Sequence, residues 1–320
     1  GGAGYIGSHA CKRLAAAGYT PVTFDNLSTG WREAVKFGPF EQGDLLDRGR
    51  LDAVFATHKP SAVMHFAALS QVGESMDDPG RYWRNNVVGS LNLIEAAVAA
   101  GCMHFVFSST CATYGDQDGV VLNEESPQAP INAYGASKLA IEQILENFEQ
   151  AHGLSHVTFR YFNVAGADPA AEVGEFHQPE THLIPVMLQA ISGDRDGLTI
   201  HGTDYQTDDG TCIREYVHVC DLVEAHVLGL QWLQQGNQSR VFNLGTGSGF
   251  SVRQVIDQGR SVTNHPVPFV EGPRRAGDCT KLVSGSTRAE QELGWVPERS
   301  NLPEMIEDAW RWYRTGGYEA

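Results

Sequence analysis

Gly1-Gly2-Ala3-Gly4-Tyr5-Ile6-Gly7 opens the chain, and the spacing of its glycines at positions one, four and seven decides the fold. Without Cβ atoms at those places a tight turn can bring backbone N–H groups and a helix N-terminus against a pyrophosphate. The run from Ser8 to Ala17 reads as that helix, ending at Gly18, and the alternating stretch Thr20 to Phe24 reads as the next strand. Asp25 ends the strand, where an acidic side chain binds a ribose 2′-hydroxyl and repels a 2′-phosphate, so the residues predict NAD rather than NADP. A turn cap beside Asn26 is the competing role for Asp25. No strand precedes the glycine turn and no initiator Met is present. A parallel sheet without that strand would leave ladder groups unpaired, so the natural chain is expected to start a few residues earlier. A targeting segment ahead of Gly1 stays open.

Farther along, apolar runs alternate with helical patterns, the signature of an α/β fold with a doubly wound (Rossmann) parallel sheet. The clearest strands are Ala62-Val63-Met64-His65-Phe66, His104-Phe105-Val106-Phe107 and Val157-Thr158-Phe159-Arg160-Tyr161, with helices expected near 47–57, 80–100 and 133–150. After Asn163 come two long turn-rich segments, Gly166 to Thr181 and Gly202 to Gly210. Loops of that length are usually functional. Val241-Phe242-Asn243-Leu244-Gly245 reads as a further strand. The expected organisation is an NAD-binding domain over 1–163 with a returning segment near 217–247, and a smaller α/β substrate-binding lobe built mainly from 164–320.

Tyr134-Gly135-Ala136-Ser137-Lys138 places a phenol and an ammonium four residues apart on one helix face. An adjacent ammonium favours a phenolate, so Lys138 is expected to hold Tyr134 near its anionic form. With ten Tyr and five Lys in 320 residues, roughly 0.16 such pairs arise by chance, so the pair gains its meaning from the glycine turn. Phe107-Ser108-Ser109-Thr110 follows a buried strand, which puts Thr110 at the carboxyl edge beside the helix of Tyr134. A hydroxyl there can bridge a substrate alcohol to the phenol; its bland alternative is a turn cap.

Composition agrees with a two-lobed enzyme: 320 residues, 42% hydrophobic, can bury a large core. No apolar run approaches the roughly 20 residues of a membrane span. A formal charge of −16 argues against a nucleic-acid surface. Cys11, Cys102, Cys111, Cys212, Cys220 and Cys279 lack paired metal spacing and read as free thiols of a reducing, cytoplasmic setting. The twelve His show no HExxH-type grouping, so no metal site is expected.

The glycine turn, the hydroxyl residue and Tyr-x-x-x-Lys together resemble the extended short-chain dehydrogenase/reductase family, and within it the UDP-sugar 4-epimerases. The likeness runs nearly end to end, through GGAGYIGSH, HFAAL, VGES, NNVVGSLNLIEA, FSST, YGASKLAIEQIL, RYFN, REYVHVCDL, FNLGTG, RRAGD and ELGW. The narrower signals are RYFN-x-AGA, His182 to Pro185, DGTCIREYVHV and RRAGD. Relatives that eliminate water carry Asp-Glu after the active-site Thr, whereas Cys111 and Ala112 follow Thr110 here and neither supplies the acid that elimination needs. The resemblance therefore implies an isomerase that interconverts UDP-glucose and UDP-galactose, by oxidation at carbon 4 and re-reduction of the 4-keto sugar on its opposite face. Tyr134 would be the base, Thr110 its relay and Lys138 its electrostatic partner.

The same resemblance assigns NAD to Gly1, Gly4, Tyr5, Ile6 and Gly7, to Asp25 and Asn26, to Asp44 and Leu45, to Phe66 and Ala67, and to Asn85, Ser108, Tyr134, Lys138 and Phe162. It assigns the UDP-sugar to Asn163, Leu183, Arg214, Tyr216, Arg275 and Asp278, with Leu282 lining the hexose pocket. Arginine suits phosphate because its planar fork pairs with two oxygens. Two departures stand out: Ser70 replaces a Lys that contacts the cofactor in some relatives, and His182 stands where others have Asn. A homodimer is also implied, pairing through the helices near 79–100 and 133–151. Another UDP-sugar, N-acetylglucosamine or xylose, would share every catalytic residue. A non-catalytic NAD-binding regulator would tend to lose Tyr134, Lys138 or the arginines, all of which are present.

Overall fold

The computed structural model describes residues 1–117, 120–275 and 279–318. Four parallel strands form its central sheet in the order Arg240–Asn243, Ser155–Arg160, His104–Ser108, Val63–His65. The period of two explains why these runs are buried on both faces. Phe105 and Phe107 point into one core with Leu51, Ile94, Ile141 and Leu145, while Val106 between them points into the other with Val157, Phe159 and Trp295. The helices Arg48–His58, Gly89–Ala99 and Ala133–His152 cover the first face, and Val219–Gln234 with the opening helix Tyr5–Ala16 covers the second.

Strands Thr23–Asp25 and Phe40–Gln42 pair in parallel as a separate ribbon. Gly1 lies between that ribbon and the main sheet: its nitrogen donates to Phe24 O at 2.7 Å, and a Cβ on it would come within 2.4 Å of Ala67 N. The expected helix near 80–100 is three pieces, Pro79–Tyr82, a π-helical turn Trp83–Val88 and Gly89–Ala99. On the helices expected to pair two chains, Ile94, Ala97, Ile141 and Leu145 are buried in the core, and the exposed large apolar side chains of this region are Trp83 and Val88.

A second core gathers Ile184, Met187, Leu188, Tyr216, Val255, Ile256, Met305 and Ile306 around the helices Leu183–Ser192, Val252–Thr263 and Leu302–Tyr313. Beside it a mixed sheet runs Phe250–Ser251, Ile213–Arg214, Lys281–Ser284, Val121–Leu122. Its last strand joins the segment that follows Thr110, so the smaller sheet reaches the carboxyl edge of the larger one.

Candidate active site

Gly4 caps the opening helix at φ −82°, ψ 178° with no side chain over the helix end. The first N–H groups of that helix have no partner within it, which makes the end an anion site. A Cβ on Gly7 would stand 2.0 Å from Gly1 O, so this glycine permits the turn itself. At Gly4 the nearest atom to such a Cβ is Gly1 O at 3.4 Å, leaving the room a pyrophosphate needs. Ile6 packs into the core and Tyr5 donates its hydroxyl to Gly166 O at 2.7 Å, tying the turn to the loop after Asn163.

Asp25 is 7% exposed and accepts from Ala3 N at 3.0 Å and Leu27 N at 2.8 Å. The turn-cap role is thus real, and a carboxylate with about four acceptor positions keeps capacity for a ribose. Asn26 donates to Asp44 at 2.8 Å, while Leu45 packs under Gly89. Ala67 abuts Gly1, and the Phe66 ring lies 5.0 Å from His226. These residues therefore ring the glycine turn and suit an adenosine diphosphate.

Thr110 sits two residues past the strand His104–Ser108 and accepts from Ala112 N at 3.1 Å, so it caps a turn as well as facing the site. Its hydroxyl acts on the Tyr134 phenol to lower that phenol's pKa, but burial is the larger effect and pushes it up to about 12. Lys138, 3% exposed, donates to Ser108 O at 2.8 Å. Burial pushes its ammonium down to about 7 against the pull of Glu142. Lys138 is expected to hold Tyr134 anionic; its ammonium is anchored at the strand end, and burial favours the neutral phenol. A cationic group arriving beside Tyr134 supplies the missing preference.

Asn85 donates to Asn86 at 2.9 Å. Asn86 was not singled out from the sequence. It is fully buried and bonds Leu69 N (2.9 Å), Leu69 O (3.0 Å) and Ser137 Oγ (3.1 Å). It therefore fixes the 66–70 segment against the helix of Tyr134, and the signal available was a pair of amides inside a helical run. Ser108 shares a hydrogen bond with Tyr161, and Phe162 packs on Cys111, Tyr114 and Leu122.

Of the residues expected to hold a UDP-sugar, Arg214 and Leu282 lie on the smaller sheet. Leu282 stands opposite Arg214 in the register. Arg214 donates to Ile213 O and Cys279 O, both at 2.9 Å. Asn163 donates to Glu215 O at 2.8 Å, Leu183 begins its helix, and Tyr216 is 6% exposed within the second core. Arg275 is exposed on the loop that follows Gly272, and Asp278 lies outside the described residues.

The lack of HExxH-type spacing led to the expectation of no metal site, yet the described residues contain one grouping of metal-ligating side chains. Glu175, His177, Glu180 and His182 bring one ligand atom each within 4.8 Å of one another. Their spacing, Glu-x-His-x-x-Glu-x-His, is a loop pattern that a search for helical pairs passes over. His182 is thus engaged with Glu180, at 2.8 Å.

A parallel sheet with a glycine cradle at one strand end and hydroxyl, phenol and ammonium at another defines a pyridine-nucleotide enzyme. The chain belongs to the NAD dependent epimerase/dehydratase family, whose model matches residues 1–245. A UDP-glucose 4-epimerase of Rhizobium leguminosarum bv. trifolii is 51% identical over 98% of this chain and 95% of its own. A UDP-glucose 4-epimerase crystal structure superposes with a TM-score of 0.97 at 50% identity, covering 100% of this chain and 98% of that one. The UDP-glucose 4-epimerase of Brucella ovis in complex with NAD gives 0.95 at 45% identity, covering 97% and 96%.

Proposed function

We propose that the chain is a UDP-glucose 4-epimerase that interconverts UDP-glucose and UDP-galactose. The observation that carries this reading is the grouping of Thr110, at the turn after the strand His104–Ser108, with the helix of Tyr134 and buried Lys138 at the sheet edge that also holds the glycine cradle. Bound NAD, held by the cradle and Asp25, supplies a hydride acceptor and donor and a cationic ring. Tyr134, once anionic, takes the proton of the sugar 4-hydroxyl, which Thr110 positions. Returned to the 4-keto oxygen after the hexose turns over, the same proton closes the cycle without net consumption. Arg214 and Arg275 are assigned to the diphosphate and Asn163, Leu183, Tyr216 and Asp278 to the rest of the nucleotide, so that UDP is gripped while the hexose turns. Cys111 supports epimerisation over elimination: burial holds its thiol well above the usual range, so it is no proton donor for a leaving hydroxyl.

The cofactor lobe is taken as 1–163 with a return near 217–247, and the substrate lobe as mainly 164–320. Two chains are proposed to pair in the cytoplasm across the Pro79–Ala99 and Ala133–His152 region, where Trp83 and Val88 are exposed. Light scattering should then give twice 34.9 kDa, and a single-chain mass defeats the pairing.

Incubation of the purified chain with UDP-galactose, no NAD added, should yield UDP-glucose; no product after NAD is also supplied overturns the reading. Leu282 is half-buried opposite Arg214 and smaller than Tyr, which favours some turnover of the N-acetylated UDP-hexoses as a minor activity. Leu282→Tyr is expected to remove that minor activity and leave UDP-galactose turnover. If the ratio of the two rates is unchanged in folded variant, Leu282 does not line the hexose pocket.

A further inference from the structure

We propose that Glu175, His177, Glu180 and His182 form a closed, tetrahedral zinc site that fastens the loop after Asn163 to the helix carrying Leu183. All four residues lie on one loop of eight residues, and the loop is anchored on both sides. Trp312 Nε1 donates to Glu175 O at 2.9 Å, and the helix Leu183–Ser192 begins at the residue after His182.

Four of the separations lie near those of a coordination sphere, the two to Glu180 reaching different oxygens of its carboxylate. Ligand atoms about 2.0–2.1 Å from a tetrahedral zinc stand about 3.3 Å from one another. His177 Nδ1 lies 3.2 Å from Glu175 Oε1 and 3.5 Å from Glu180 Oε2. His182 Nδ1 lies 3.0 Å from Glu175 Oε1 and 2.8 Å from Glu180 Oε1. His177 Nδ1 is buried without a hydrogen-bond partner among the described residues, an orphaned donor or acceptor aimed at two carboxylates. Glu180 is oriented by Thr181 N at 2.7 Å and His182 N at 2.8 Å, the kind of outer support that fixes a metal ligand.

Two imidazoles and two carboxylates select a borderline first-row ion. Calcium and magnesium ask for six or more oxygens or for retained water, whereas a four-coordinate nitrogen and oxygen set suits zinc. Four protein ligands leave no open position, so the ion is structural. Its place also has a consequence for the cofactor cradle. The Tyr5 hydroxyl reaches Gly166 O at the start of the same loop, and the carboxylates of Glu175 and Glu180 act electrostatically on that phenol. A zinc here would hold the substrate-side loop against the glycine turn.

The test uses the full chain without a histidine tag, dialysed against zinc buffered by a weak competing chelator, with bound metal counted by elemental mass spectrometry. About one zinc per chain is expected, and His177→Ala with His182→Ala should lower it at least tenfold. Strong chelation should lower the melting temperature of the wild type and leave that of the double variant unmoved. Should the double variant fail to fold, cobalt substitution of the wild type decides: an intense tetrahedral visible spectrum supports the site. Less than about a tenth of a zinc per wild-type chain, a folded double variant that keeps its zinc, or a weak octahedral cobalt spectrum overturns it.

Discussion

Tyr134→Phe is expected to lower epimerisation by at least about 10²-fold while binding of UDP-sugar persists, because removal of a general base costs about that much. The substitution deletes one oxygen and leaves the ring on the helix Ala133–His152, so folding should survive. Thr110 cannot replace the base: its hydroxyl is unactivated, and its geometry serves the turn at Ala112 N as well as the phenol. Turnover is measured by separating UDP-glucose from UDP-galactose, and binding by displacement of a labelled UDP. Retention of more than about a hundredth of the wild-type rate sinks the assignment of Tyr134. Loss of both rate and binding would point instead to a collapsed pocket.

The elements that were legible in the sequence are those whose signal is local. The glycine spacing gave the opening turn, and the uninterrupted apolar runs gave strands buried on both faces, as at Phe105, Val106 and Phe107. The position of Thr110 just past a strand end was legible from the apolar run that precedes it. What escaped depends on three-dimensional neighbours. The spacing placed Lys138 on the face of the phenol, but its bond to a carbonyl 30 residues earlier in the chain could not be read from it. Asn86 acts across 51 residues to Ser137, a distance no periodicity reports. Ile141 and Leu145 looked like spare apolar surface, and only the packing shows the sheet using them. The Glu175-to-His182 group lies in a loop, where spacing rules built on helices do not apply.

The second large effect is one of stability and reaches the active site from below. Glu142 and Arg160, 4% and 5% exposed, form a buried pair in which Arg160 Nε lies 3.1 Å from Oε1 and Nη2 lies 2.5 Å from Oε2. Ser109 and Gln128 also donate to Glu142, and Arg160 donates onward to Tyr114 at 2.9 Å. Removing one partner strands the other charge without solvent, so Glu142→Ala should cost about 3–5 kcal/mol. That is a large part of the roughly 5–15 kcal/mol by which a domain is stable. Replacing both, as Glu142→Leu with Arg160→Met, should cost much less, because neither charge then remains buried. Urea unfolding of Glu142→Leu, Arg160→Met and their double variant measures the coupling, and a Glu142→Ala loss under about 1 kcal/mol refutes the argument. Glu142 is also one helical turn beyond Lys138, and its charge raises the lysine's pKa against burial. Any Glu142→Ala chain that stays folded should therefore hold its Lys138 ammonium only at lower pH than wild type. The alkaline limb of its rate profile should move down, and an unmoved limb would mean that Lys138 does not take part as an ammonium.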